Sequence, residues 1–308
     1  MHRVAVIGAG QFGQNHCRVV RQSARAELTA VVDIDPTRAT IADYRALAGK
    51  VDAAIVATPT SAHAEIGCWL LEHAIDVLVE KPIAPDLESA DRLVAAAERY
   101  GRVLQVGHLE RFNPAVIALE GRVTLPLFFE IHRLSVFSPR SLDVDVILDL
   151  MIHDIDIVLS LTGAEPEEIR GAGVSILSSK VDIANARLQF PNGCVANLTA
   201  SRVSTERVRK LRLFQPQQYC SLDYARQELL IFSVGGDRQV SFEPVATAKS
   251  EPLQLQFDAF LDSVETRNSP KTSGPRARQT LRIALAILDK IEEHSEIVSK
   301  SLAGGWKL

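Results

Sequence analysis

What the chain lacks narrows it first. Its four cysteines, Cys17, Cys68, Cys194 and Cys220, are scattered, with no CxxC pair and no histidine at metal-ligand spacing. That pattern argues against a disulfide scaffold or a zinc ribbon, implies free thiols in a reducing cytoplasm, and leaves no metal site to expect. No apolar run is long enough to span a bilayer, and the best, Val144 to Leu161, is punctured by acidic residues. A net charge of −4 gives no electrostatic case for nucleic acid or an anionic membrane. The opening "MHRVAVIGAG" has no signal-peptide layout, so a cytoplasmic protein is expected. Internal repeats and low-complexity segments are absent.

What is present suits two domains in 308 residues, with 46% hydrophobic and 23% charged residues as in ordinary globular proteins. Five β-branched runs, Val4–Ile7, Leu28–Val32, Ala53–Ala57, Val77–Val79 and Val103–Val106, alternate with helical segments. Asp35-Pro36 reads as an N-cap with proline at the first helical position, and "DLESADRLVAAAERYG" as an amphipathic helix closed by Gly101. Such alternation predicts βαβ units and a parallel sheet.

On that sheet, Gly8, Gly10 and Gly13 form G-x-G-x-x-G after the first strand, with Gln11 and Phe12 between them. The glycines permit a tight turn and close approach of a pyrophosphate to the helix start. Asp33 ends the second strand twenty positions after Gly13, where a carboxylate binds a ribose 2′-hydroxyl. NAD is the expected cofactor, and nearby Arg38 leaves NADP open. Two further clusters fall at the carboxyl ends of strands, where ligands of open α/β sheets sit. In "VATPTSAHAE" these are Thr58, Pro59 and His63, the last equally readable as a helix-surface residue; in "LVEKPIA" they are Glu80 and Lys81.

From about Gly121 the pattern changes to strand-like segments with short connections, including a hairpin turn at Pro191-Asn192-Gly193. Two amphipathic helices follow, roughly 254–264 and 276–294. The expected division is an α/β Rossmann domain over 1–120 and an α+β substrate domain over 121–308.

The stretch "VILDLMIHDIDIVLSL" is apolar almost all round when drawn as an α-helix, except for one stripe. With Asp149 as zero, His153 falls at roughly +40°, Asp156 near −20° and Ser160 near +20°, while Asp154 diverges. Buried ionisable groups need partners or a pocket, so the stripe is expected to face one or the other, and Asp154 to pair with a base or cap a loop. Arg202, Arg207, Arg209, Lys210 and Arg212 cluster at a strand entry; one or two, Arg202 and Arg209 foremost, are candidates for a substrate diphosphate. Arg111 and Asn113, past the fifth strand, are candidate substrate-pocket residues.

The set "GAGQFGQNH", "EKP" at Glu80–Pro82, "RFNP" at Arg111–Pro114, and Asp149-x-x-x-His153 with Asp156 resembles the Gfo/Idh/MocA family of nicotinamide-dependent sugar oxidoreductases, in order and over essentially the whole chain. The resemblance implies a Rossmann domain followed by an open-faced, mainly antiparallel sheet, a face that often forms a homodimer or homotetramer interface. It implies too that Lys81 and His153 meet at the substrate carbon with Asp149 nearby. The chain departs from the family's usual glycines, carrying bulky Leu150, Met151 and Ile152 between Asp149 and His153. "DLMIHDID", "GHLERFNPA" and "ASRV…RKLR" look more like the branch acting on nucleotide sugars. That branch implies oxidation of UDP-N-acetylglucosamine at C3, the ketone passing to an aminotransferase of lipid A or surface-glycan synthesis.

A dinucleotide site beside a base-rich pocket implies loss of a hydride and a proton from a secondary alcohol. Neutral His153 suits a base or proton relay; Lys81 suits stabilisation of the developing alkoxide, or the base itself if its pKa is low. Asp149, one helical turn from His153, either orients it or holds a sugar hydroxyl. The alternatives are a dehydrogenase or reductase of a free sugar or cyclitol, and a non-catalytic dinucleotide sensor, which would need neither Lys81 nor His153.

Overall fold

The computed structural model describes residues 1–137, 144–236 and 238–303, and of 298–303 the backbone alone. The chain divides into two compact units: Met1–Phe112 with Ser250–Leu281, and Asn113–Lys249 with the residues from Arg282 onward. A single cut after residue 120 does not describe this division, because residues 250–281 pack with the first unit and the last helix is shared between the two.

The first unit is a parallel sheet of β1 (His2–Ile7), β2 (Ala26–Val32), β3 (Ala53–Val56), β4 (Asp76–Val79) and β5 (Leu104–Val106), in the order β2-β1-β3-β4-β5. The expected Rossmann domain is therefore present, each strand within two residues of its β-branched run. Helix α1 (Gln11–Gln22) follows β1, α2 (His63–Glu72) follows β3, and α3 (Leu87–Tyr100) follows β4. Asp86 caps α3 through the Ser89 N–H at 2.7 Å, and Gly101 ends it in the left-handed conformation at φ 60°. The helix expected at Asp35-Pro36 does not form. Asp35 instead accepts from the Thr37 N–H and hydroxyl, an Asx turn that competes with helix, and the crossover to β3 runs through a 3-10 turn at Tyr44–Leu47.

The second unit begins with α4 (Pro114–Glu120) and carries β6 (Phe128–Val136), α5 (Ile152–Thr162) and β7 to β13: Glu168–Val174, Ile183–Gln189, Val195–Ser204, Val208–Gln215, Gln218–Asp223, Glu228–Val234 and Val240–Val245. The eight strands run β13-β12-β11-β10-β6-β9-β8-β7, antiparallel except where β6 pairs with β9. The β8–β9 hairpin turns at the expected Pro-Asn-Gly, Gly193 taking φ 80°. Helix α6 (Pro252–Thr266) belongs to the first unit, and α7 (Gly274–Ala303) runs from the first unit into the second.

Strand alternation gives the large sheet two unlike faces. Phe129, Ile131, Leu211, Leu213, Cys220, Leu222 and Ile231 point into a core shared with α5 and with Ile283, Ala284 and Ile287 of α7. The opposite face is open. It carries one aromatic row, Phe128, Phe214, Tyr219, Phe232 and Phe242, in which neighbours lie directly opposite one another on adjacent strands with ring centroids 4.8 to 5.8 Å apart.

Candidate active site

In the first unit the glycine loop has the conformation the motif predicts. Gly8 sits at φ 88°, and a Cβ there would lie 2.6 Å from the Ala57 carbonyl oxygen. A Cβ on Gly13 would lie 1.8 Å from the Gly8 oxygen, so only glycine lets α1 rest on the loop. At Gly10 a Cβ would meet nothing within 4 Å. Gly10 is the N-cap of α1, with no capping side chain, and this open helix start is a cradle for an anion.

Asp33 lies immediately past β2. Its carboxylate accepts from the Ala9 N–H at 2.5 Å and from the Asp35 N–H at 2.9 Å, which ties the strand end to the glycine loop. Arg38 is exposed and pairs with Asp35 at 3.1 Å. Phe12 is exposed and meets His16 edge-on. Thr58 and Pro59 follow β3, and the buried Thr58 Oγ1 finds no partner among the described residues. The glycine cradle, the Asp33 carboxylate and this orphaned hydroxyl fit a nicotinamide dinucleotide: Gly8, Gly10 and the first turn of α1 would hold the diphosphate, Asp33 a ribose, and Thr58 the far end.

His63 is no surface residue. It is 1% exposed, with Nδ1 3.0 Å from the Pro82 carbonyl oxygen and Nε2 3.0 Å from that of Thr58. Burial, partly offset by those carbonyls, lowers its pKa from 6.5. A neutral imidazole has one N–H, so the ring donates to one of the two carbonyls, Pro82 after Lys81 or Thr58 in the β3–α2 loop, and lies packed between those two segments. Glu80 is buried as well: its carboxylate meets His16 Nε2 at 2.8 Å and the Lys81 N–H at 3.3 Å. His16 was not among the expected site residues, although "GAGQFGQNH" contains it; its spacing of one turn from Gly13 was the available signal.

In the second unit, Ile147–Met151 is a π-helical turn leading into α5. Its wider winding means that the α-helical angle between Asp149 and His153 does not apply, and such turns recur at functional sites. The stripe is otherwise as drawn: Asp149, His153 and Ser160 are partly exposed, Asp156 is 4% exposed, and Ile147, Met151, Ile152, Ile155 and Val158 fill the core. Asp154, on the other side, takes a bidentate bond from buried Arg133 at 2.8 and 2.7 Å.

Two expected substrate residues have other uses. Arg202 is 6% exposed; its guanidinium donates to the Val144 and Val181 carbonyls and lies 3.4 Å from Asp182. Those bonds make it a tie between the segments at Val144, Val181 and Asp182. Asn113 caps α4 through the Ala115 N–H at 3.1 Å and donates to the Tyr224 carbonyl at 3.0 Å, so its amide serves the fold. Arg209 is half-buried on β10, and Arg111 is buried in the 3-10 turn Leu109–Phe112 after β5.

Comparison with known proteins supplies what geometry leaves open. Residues 2–108 match the model of an oxidoreductase family with an NAD-binding Rossmann fold, and residues 122–215 match the GFO/IDH/MocA C-terminal domain. The chain belongs to the Gfo/Idh/MocA family. This family member is an NAD-dependent oxidoreductase. It is 37% identical to UDP-N-acetylglucosamine 3-dehydrogenase of Acidithiobacillus ferrooxidans, across 94% of this chain and 97% of that relative. A solved structure of that bacterium's enzyme superposes with a TM-score of 0.90 at 36% identity, covering 95% of this chain and 98% of the other. The Gfo/Idh/MocA chain is also 27% identical to the rhizopine catabolism protein MocA of Rhizobium meliloti, over 97% of this chain and 96% of that protein.

Proposed function

We propose that this protein oxidises the C3 hydroxyl of UDP-N-acetylglucosamine to a ketone. The observation that carries the reading is near-full-length similarity to an enzyme of that name, supported by the presence of Lys81, Asp149 and His153. Bound NAD supplies the acceptor for the hydride leaving the alcohol carbon. The protein must then manage one proton and one developing negative charge. His153, partly exposed on α5, takes the proton, imidazole being the side chain best suited to exchange protons near neutral pH. Lys81, at the carboxyl end of β4, holds the alkoxide charge as an ammonium. Asp149 orients His153 or a sugar hydroxyl. Arg111 and Arg209 are the proposed substrate cations, and a 3-keto product would be drawn off by a glutamate-dependent aminotransferase in lipid A or surface-glycan synthesis.

The open sheet face is the proposed contact between subunits of a homodimer or homotetramer. An aromatic row with Phe214 38% and Phe242 57% exposed is the kind of apolar strip that a second copy covers.

The functional test follows NAD reduction with UDP-N-acetylglucosamine, UDP-glucose, N-acetylglucosamine and myo-inositol, with the aminotransferase present to remove ketone. Reduction with UDP-N-acetylglucosamine alone is expected. Reduction only with a free sugar or inositol would discard the nucleotide-sugar reading and keep the family.

A further inference from the structure

Lys81 projects from a backbone segment held from both sides by buried histidines of the first unit. On one side, α1 rests so closely on the glycine loop that His16, one turn past Gly13, is fully buried. Its Nε2 is 2.8 Å from Glu80 Oε1, while Nδ1 finds no partner among the described residues. With its proton on Nε2, the ring donates to the carboxylate. Glu80 Oε2 in turn accepts the Lys81 N–H at 3.3 Å, a backbone donor lying past the end of β4 at Val79. Gly107 makes room for this, because a Cβ there would lie 2.7 Å from both carboxylate oxygens. On the other side, the Pro82 carbonyl faces His63 Nδ1 at 3.0 Å, and the same ring reaches the Thr58 carbonyl.

We infer that His16 is a positioning residue for Lys81, acting through the Glu80 carboxylate, with His63 bracing the opposite side. The inference rests on the reading of Lys81 as the cation of the reaction. His16 and Glu80 then touch neither substrate nor hydride. They set where the Lys81 backbone sits, and a reacting group misplaced by about 1 Å can lose on the order of 100-fold in rate. A bond from a buried histidine to a buried carboxylate is a rigid way to hold that backbone, since neither group has water to turn to.

The test uses the full chain carrying His16→Leu, His16→Gln, Lys81→Ala and the double variant His16→Leu/Lys81→Ala. Turnover with UDP-N-acetylglucosamine and the aminotransferase, NAD affinity by fluorescence, and amide exchange of the peptide 79–84 are measured for each. His16→Leu is expected to lower kcat roughly 10- to 100-fold, to leave NAD affinity within about threefold, and to speed exchange at Lys81. His16→Gln, which keeps an N–H near the Nε2 position, should recover most of the loss. In the Lys81→Ala background His16→Leu should change turnover by less than about twofold, because groups acting as a unit are non-additive. Should His16→Leu not fold, Glu80→Gln reads the same coupling with the side-chain shape retained. Wild-type turnover and exchange in His16→Leu, or an undiminished effect without Lys81, would overturn the inference. Full turnover in Lys81→Ala would instead remove the catalytic reading on which it stands. The exchange arm needs no substrate, so it decides the positioning of Lys81 even if the sugar nucleotide is wrong.

Discussion

Single residues carry the chemistry, and their surroundings say which substitutions will be informative. Lys81→Ala and His153→Ala are each expected to lower turnover by orders of magnitude with NAD affinity retained; near-normal turnover in both, measured as NADH formation, would end the assignment. Asp33→Ala should weaken NAD binding and narrow the preference for NAD over NADP, read from paired titrations, because the carboxylate that repels a 2′-phosphate is gone. Asp154 is a contrasting case. It is as polar as its neighbours on α5, yet it is engaged by Arg133 with both groups at most 2% exposed, and the guanidinium lies over the Tyr224 ring at 4.9 Å. Removing one partner leaves a buried charge alone, so Asp154→Ala should cost about 3–5 kcal/mol in denaturant unfolding. His63 titrates in the direction burial dictates. Its folded pKa lies below 6.5, so on acidification the unfolded chain takes up the proton first. Its contribution to stability is full above about pH 6.5 and falls as pH drops towards the folded pKa; His63→Gln should flatten that part of a Tm-against-pH curve.

At the scale of elements, close approach explains more than propensity does. Helix α1 lies where it does because position 13 has no Cβ. A Gly13→Ala chain must shift backbone to relieve a 1.8 Å contact, and its NAD affinity by fluorescence titration is expected to collapse. The loop between β7 and β8 shows the same economy in polar form. Burial alone would raise the pKa of Asp182, but N–H groups of Leu177, Ile176 and Ser178 and the Ser178 hydroxyl outweigh it and hold the carboxyl at about 2. The drop from 3.8 corresponds to about 2 kcal/mol. That stability is present above about pH 4 and lost as pH falls towards 2, and Asp182→Asn should remove most of it at pH 7. The missing helix after β2 belongs here too: Asp35-Pro36 begins equally well as a turn or a helix, and Thr37 completes the turn.

For the molecule as a whole, the unlike faces of the large sheet set the expected assembly. One face is sealed by α5 and α7; the other presents aromatics in register across five strands. Phe232→Glu, partly buried between Tyr219 and Phe242 in that row, should shift the protein to a smaller species in light scattering with its secondary structure unchanged. A monomeric wild type would remove the reason for the row.

The strand positions, the glycine loop and the α3 caps were legible in the sequence because each depends on local spacing and on backbone angles that few residues adopt. The apolar circumference around Asp149 and His153 was legible for the same reason, since periodicity reports burial. Which partners the other candidate polar residues find was decided only in three dimensions. Asn113, Arg202 and His63 read as candidate ligand residues in the sequence, and only the fold shows Tyr224, Asp182 and Pro82 beside them. Those partners lie between 19 and 111 positions away, and a hydrogen bond is satisfied by what folding brings within about 3 Å, whatever its distance along the chain.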